Sequence, residues 1–258
     1  MRILVTNDDG VYAPGIKILA EELCKEHEVH IYAPQEEQSA SGHSLTMRRP
    51  LWKKKVRLSE EFETYAITGT PVDCVKLGLH ILETENKPAD IVLSGINRGP
   101  NLGLDLVYSG TVSGALEGAI LGKPAIAVSS AIFNDGFYPS GAKFILKFLK
   151  NIDLSKFTKF SALNINVPPL PSEEIKGWRV TNQSIKRFKD RYEERLDPYN
   201  NKYYWIFGEM LEDDEDPSAD YKAIEKGLIS VTPISPFMNH SEKTESLYKY
   251  LKEVEKIK

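Results

Sequence analysis

Cysteine is nearly missing from this chain. Cys24 and Cys74 are the only two in 258 residues, far apart and in no CxxC spacing, so neither a disulfide framework nor a zinc site can be built from them. An excess of one charge is missing too. Thirty-three basic residues stand against thirty-seven acidic ones, a net charge of -4, which argues against a protein that wraps nucleic acid by bulk charge. Long apolar runs are also lacking. The opening MRILVTNDDG reaches acids at its eighth residue, too early for a signal peptide. The most apolar later stretch, around residues 115–133, is interrupted by Glu117, Lys123 and Pro124, so no membrane span fits and a cytoplasmic location is the expectation. No internal repeat or low-complexity segment occurs. What remains is an ordinary globular balance, 41% hydrophobic and 27% charged, enough for one large α/β domain with or without a smaller arm.

The apolar pattern alternates between two periods. Ile3 to Val5 is a short buried run. Ile16, Leu19, Ala20 and Leu23 then fall on one helical face, and Val29, Ile31 and Ala33 alternate as a strand. Tyr65 to Thr68 reads as a further strand. Thr70, Pro71 and Asp73 carry helix-start chemistry ahead of the face formed by Val72, Val75, Leu79 and Leu82. Ile91 to Leu93 and Ala125 to Val128 are strands, with a glycine-rich helix candidate over 109–121 between them. This rhythm predicts an α/β fold, a mostly parallel sheet flanked by helices on both faces, with ligands outside the carboxyl ends of the strands. The prolines at 168, 169 and 171 mark a change, and a catalytic core over residues 1–175 is expected. Beyond it, residues 176–258 are expected to form a hairpin and helix arm for oligomerisation: Tyr203 to Phe207 reads as a strand, Glu212 to Asp216 as a solvated loop and Ser241 to Lys258 as an amphipathic helix.

Four loops at expected strand ends hold the chemistry. Asp8 and Asp9 are adjacent carboxylates whose repulsion, about 4 kcal/mol at 4 Å and an effective dielectric of 20, calls for a hard divalent cation, a shared proton or donors. A plain polar turn at Asn7–Gly10 is the competing reading. Ser39 to Ser44 is a hydroxyl-rich loop that contains His43, the histidine nearest the site and a candidate for assisting a leaving group. Ser94 to Asn101 offers the amides of Asn97 and Asn101 and the guanidinium of Arg98. Tyr108, Ser109, Gly110 and Thr111 open the glycine-rich helix, where free N–H groups and the helix dipole make an anion site. Each loop alone is ordinary turn chemistry; together they place a cation site and an anion site on one sheet edge. A covalent route through Asp8 fits less well, because the acids are adjacent and not spaced DxD. Arg48, Arg49, Lys53, Lys54, Lys55 and Arg57 around Trp52 raise a nucleic-acid alternative, with a solvated charged strand as the plainer account.

The segments MRILVTNDDG, SASGHSLT, GTPVDCV, SGINRGPNLG, VYSGTVSGALEG and GLISVTPI resemble, in kind and order, the motifs of the SurE (survival protein E) nucleotidases, from residue 1 to about 234. Ser113 departs from the usual glycine or alanine. The resemblance implies a doubly wound, Rossmann-like three-layer core and metal-dependent hydrolysis of nucleoside 5′- and 3′-monophosphates, with polyphosphate trimmed by some members. It implies one Mg²⁺ or Mn²⁺ per subunit held by Asp8, Asp9, Ser39 and Asn97. It places Ser109, Gly110 and Thr111 beside the phosphate. Asn101 and His43 are further substrate-side candidates. A homodimer or homotetramer built through the C-terminal elements is implied as well.

Overall fold

The computed structural model describes residues 1–131, 137–211 and 216–238, with residues 245, 247–249, 251 and 252 beyond them; the side chains of Phe188 and Met210 are not described. In chain order the elements are β1 (Arg2–Thr6), α1 (Pro14–Leu23), β2 (Glu28–Pro34), β3 (Lys53–Val56), β4 (Glu63–Ile67), α2 (Pro71–Thr84), β5 (Ile91–Arg98), α3 (Gly110–Ile120), β6 (Ala125–Ser130) and α4 (Tyr138–Asn151). They continue with β7 (Ala162–Val167), β8 (Trp178–Val180), β9 (Arg187–Leu196), β10 (Lys202–Leu211), α5 (Asp220–Glu225) and β11 (Ile229–Ile234). A 3-10 turn over Gly103–Val107 precedes α3. Most of the expected Ser241–Lys258 helix and of the expected acidic loop lie outside the described residues; residues 245, 247–249, 251 and 252, within the expected helix, are helical.

Nine strands form one sheet in the order β3-β4-β2-β1-β5-β6-β7-β11-β8. The strands from β4 to β7 are parallel to their neighbours, whereas β3 on β4 and β11 on β7 are antiparallel. The chain winds outward from β1 through β2 and β4, then crosses back to β5 on the other side of β1. The strand order therefore reverses between β1 and β5, and a crevice opens at their carboxyl ends. Asp8, Asp9 and Asn97 come from the ends of these two strands.

Each face of the sheet has its own core. Ile3, Val5, Ile31, Leu93 and Val128 meet α1 and α4 through Ile16, Leu19, Leu23, Ile145 and Leu149. Leu4, Tyr32, Val92 and Ala127 meet α2 and α3 through Val75, Leu79, Val112 and Ala115. Fully burying one such side chain contributes about 1.5–3 kcal/mol. The α2 start is as read: Thr70 Oγ accepts from the Asp73 N–H (3.2 Å) and Asp73 Oδ2 from the Thr70 N–H (2.9 Å), a reciprocal cap. The glycine-rich α3 is a helix because packing overrides propensity: a Cβ on Gly118 would sit 2.8 Å from Val92 Cβ, so only glycine lets the helix lie this close to β5.

The sheet does not stop at residue 175. β8 and β11 both lie beyond it and complete the sheet, β11 with Ile229, Ser230, Val231 and Thr232 buried. Pro233 disguises that strand in the sequence; it sits in the exposed last third, where the lost N–H is tolerated. The hairpin of β9 and β10 forms a separate two-stranded sheet. Trp178 and Trp205 are 52% and 57% exposed in the single chain.

Candidate functional site

Asp8 follows the last residue pair of β1 and is buried, 4% exposed, because its carboxylate turns under the open end of α3. Its Oδ2 accepts from the Thr111 backbone N–H at 3.0 Å, and its Oδ1 accepts from the Thr111 hydroxyl. The fit requires glycine ahead of Thr111: a Cβ on Gly110 would lie 2.8 Å from both Asp8 Cβ and Ser41 Oγ, and 2.9 Å from Asp8 Oδ2. Burial pushes the Asp8 carboxyl up to about 6, the Thr111 hydroxyl pulls it down and the neighbouring Asp9 charge raises it again.

This differs from the expectation that Thr111 faces the phosphate. In the structure both of its donors serve Asp8, since a carboxylate is the anion nearest the positive helix end. Ser109 caps α3, its Oγ accepting from the Val112 N–H at 3.1 Å. The Gly110 N–H has no hydrogen-bond partner among the described residues. The Asp8 carboxylate and the open end of α3 thus meet at one place.

Asp9 is half-buried, and its Oδ2 accepts from the Arg98 N–H at 3.0 Å, which ties the β1 and β5 loops across the crevice. A cleft of about 300 Å³ opens beside it, lined by Tyr12, Gln35, Glu36, Glu37 and Arg98 among others. Ser39 is exposed and its hydroxyl donates to Glu37 Oε1 at 2.6 Å. The Asn97 side-chain nitrogen donates to Gly99 O at 2.9 Å, leaving its oxygen as the acceptor end. The 39–44 loop is fastened to the site by two backbone bonds, Gln38 N–H to Asp8 O (2.7 Å) and Gly42 N–H to Tyr108 O (2.9 Å).

Asn101 is buried and held in an amide cluster. Its N–H donates to Asn166 Oδ1 (2.8 Å) and its Nδ2 to Ser129 Oγ (2.9 Å), while its carbonyl accepts from Asn164 Nδ2 and Asn166 Nδ2 (2.9 Å each). The cluster pins the loop ahead of α3 to the ends of β6 and β7. Neither Asn164 nor Asn166 stands out in sequence; an alternation of asparagine with buried apolar residues in a strand is the one signal that could have found them. His43 is joined by its Nε2 to Glu117 at 2.8 Å. The basic segment lies on and around edge strand β3, at the margin of the sheet, with Lys55 paired to Glu63 at 2.9 Å and Arg57 to Glu60.

Whether this set suits a divalent cation is decided by donor chemistry. Among the described residues no group of three or more His, Cys, Asp or Glu could hold a metal. The donors gathered here are two carboxylates, a hydroxyl and an amide oxygen, all hard oxygen ligands. Buried Asn7 Oδ1, next to Asp8 in the chain, and buried Ser41 Oγ, beside Gly110, have no hydrogen-bond partner among the described residues. Such a set fits Mg²⁺ or Mn²⁺ and not zinc.

The comparisons with known proteins agree with one another. A family model described as "Survival protein SurE" matches residues 3–190. A protein named 5′-nucleotidase SurE from Fervidobacterium nodosum is 56% identical over 243 residues, 94% of each chain. One of the same name from Thermosipho melanesiensis is 54% identical over 255 residues, 99% of this chain and 96% of the other. The crystal structure of the SurE protein from Aquifex aeolicus matches with a TM-score of 0.81 at 41% identity, covering 98% of this chain and all of that one. A sheet reversing at Asp8 and Asn97, a helix opened on Gly110 and relatives alike over nearly their whole length lead to one conclusion: this chain belongs to the SurE family.

Proposed function

We propose that this chain is a metal-dependent phosphatase that hydrolyses nucleoside 5′- and 3′-monophosphates to nucleoside and phosphate, with short polyphosphate as a further substrate. The observation that carries the reading is the Asp8 carboxylate under the open end of α3, which fuses a cation site to an anion site. The name 5′-nucleotidase borne by relatives of 54–56% identity supports it.

Asp8, Asp9, Ser39 and Asn97 hold the cation. A single Mg²⁺ or Mn²⁺ held there would supply neutralisation of phosphoryl charge and a more acidic attacking water. Gly110 N–H and the Ser109 hydroxyl are the donors open to the phosphoryl oxygens, at the positive end of α3. Thr111 contributes by fixing Asp8. Water attacks phosphorus in line with the ester oxygen, and Asp8 takes the water's proton. Asn101 meets the substrate through its amide oxygen, its other polar groups being committed to the cluster, and His43 lies on the leaving-group side. The β9–β10 arm joins subunits into a homodimer or homotetramer.

The deciding experiment is phosphate release from 5′- and 3′-nucleotides and from a short polyphosphate, with Mg²⁺, Mn²⁺ or EDTA, beside Asp9→Asn. Metal-dependent release that falls by about 10³-fold in the variant is expected. Release unaffected by EDTA, or none from folded protein with any metal, would sink the reading.

A further inference from the structure

Glu117 is a buried carboxylate with no part in the mechanism above. It lies on α3 two turns beyond Gly110, about 10 Å along the axis. It is 4% exposed, on a helix whose other buried residues are apolar or small. A charge in such a place costs several kcal/mol unless it is paired. Both of its oxygens are paired: Oε1 accepts from Lys76 Nζ of α2 at 2.8 Å, and Oε2 meets His43 Nε2 at 2.8 Å. Burial alone would raise its carboxyl, but the bonds from His43 and Lys76 outweigh that and hold it below the ordinary carboxylate range. Glu117 is therefore ionised, and the Nε2 of His43 carries a proton toward it.

The backbone ahead of His43 is fastened at the other end of the same helix. Gly42 N–H donates to Tyr108 O, immediately before the Ser109 cap, and Ser41 Oγ touches the space above Gly110. The segment after it is fastened too, Ser44 O accepting from Thr70 Oγ1 at 2.8 Å and Thr46 N–H donating to Asp73 Oδ1 at 3.0 Å. His43 thus stands on a segment held at the open end of α3 by its backbone and at Glu117 by its ring. Its second nitrogen, Nδ1, has no hydrogen-bond partner among the described residues, and the side chain is 36% exposed.

From this geometry we infer that the chain Lys76–Glu117–His43 makes His43 the acid that protonates the leaving nucleoside oxygen, with Glu117 as its positioning residue. The inference rests on the phosphatase reading. As the bond from water oxygen to phosphorus forms, the ester P–O bond breaks and its electron pair stays on the sugar oxygen, which takes the Nδ1 proton of the doubly protonated His43 ring. The water's proton goes to Asp8, and both groups return to their starting state by exchange with solvent. Glu117 holds the ring by Nε2 so that Nδ1 faces the departing oxygen; Lys76 keeps Glu117 charged.

The test compares a leaving group that needs a proton with one that does not. kcat and KM are measured on 5′-AMP and on p-nitrophenyl phosphate for the wild type, His43→Asn and Glu117→Gln. The ratio of kcat on AMP to kcat on the nitrophenyl ester is expected to fall about 10²-fold for His43→Asn and about tenfold for Glu117→Gln, with KM for AMP changing less than about threefold. Activity on the nitrophenyl ester reports that each variant is folded. Equal losses on both substrates, or no loss on either, would overturn the assignment while leaving the phosphatase reading intact. A wild type that turns over neither substrate would overturn both.

Discussion

The carboxyl edge of the nine-stranded sheet and the β9–β10 hairpin are built on opposite terms. At the sheet edge, polar groups find partners inside the same chain: Asp8 with Thr111, Asn101 with Asn164 and Asn166, Glu117 with Lys76 and His43. Along β10, Tyr203, Tyr204, Trp205, Ile206 and Phe207 are consecutive, and each is 41–59% exposed. Successive side chains of a strand point to opposite faces, so both faces of the hairpin present apolar surface to water. An apolar patch of that kind on a monomer marks a surface meant for another molecule. One region is complete within the chain; the other is the surface to which the proposed assembly assigns a second copy.

The sharpest way to break this comparison is at the sheet edge. Gly110→Ala places a methyl against Asp8 and Ser41, where no room exists. Phosphate release is expected to fall by at least about 10²-fold, since small displacements of a reacting group are that costly. Steady-state kinetics beside a melting curve check it; near-normal kcat would mean that the Asp8 clasp is not part of the chemistry. In the hairpin, Trp205→Glu with Phe207→Glu charges one face, the two residues being two apart. Light scattering is expected to show a smaller species, because aromatic anchors dominate such interfaces, while kcat per subunit changes less than about threefold. An unchanged mass would remove the hairpin from the assembly.

The smallest effect concerns stability. The Asp8 carboxyl is raised from 3.8 to about 6, so the folded state binds its proton more tightly than the unfolded chain does. That contribution is fully present below pH 4 and is lost as pH rises through about 6, to a total of about 3 kcal/mol at neutral pH. In EDTA, Asp8→Asn should therefore melt about 5 °C or more above wild type at pH 7, with the gap closing by pH 4. A pH-independent gap would show that Asp8 is not strained by its burial. An added divalent ion should narrow the gap at pH 7 by stabilising only the wild type.

Much of this was legible in the chain itself, for physical reasons that differ by element. The elements from β1 to β6, apart from the lysine-rich β3, have periodic apolar faces and local start signals, as at Thr70 and Asp73, and they lie where the pattern predicts. β11 was not read as a strand, because two hydroxyl residues and a proline break its apolar count, and its burial comes from β7 and β8. The loops bearing Asp8, Asn97 and Ser109 were located by strand ends alone. Their contacts were not, since which donor Asp8 would claim depends on how closely α3 settles on the sheet. Glu117 carries no legible role in the sequence for the same reason: on a helix of small residues, a lone acid gains its partners only when His43 and Lys76 arrive from distant segments.

β8 and β11 are adjacent and parallel. A parallel neighbour obliges the chain to leave the sheet, travel back and re-enter, and a dozen residues or more are needed for the journey. The hairpin occupies that obligatory detour. It is anchored near its base by the Leu104 N–H bond to Lys186 O at 2.9 Å and by Gln183 Nε2 to Gly103 O at 2.8 Å. A detour can be lengthened, trimmed or given new side chains without shifting one rung of the nine-stranded ladder. The hairpin can therefore change as a separate module, leaving the pocket's frame untouched.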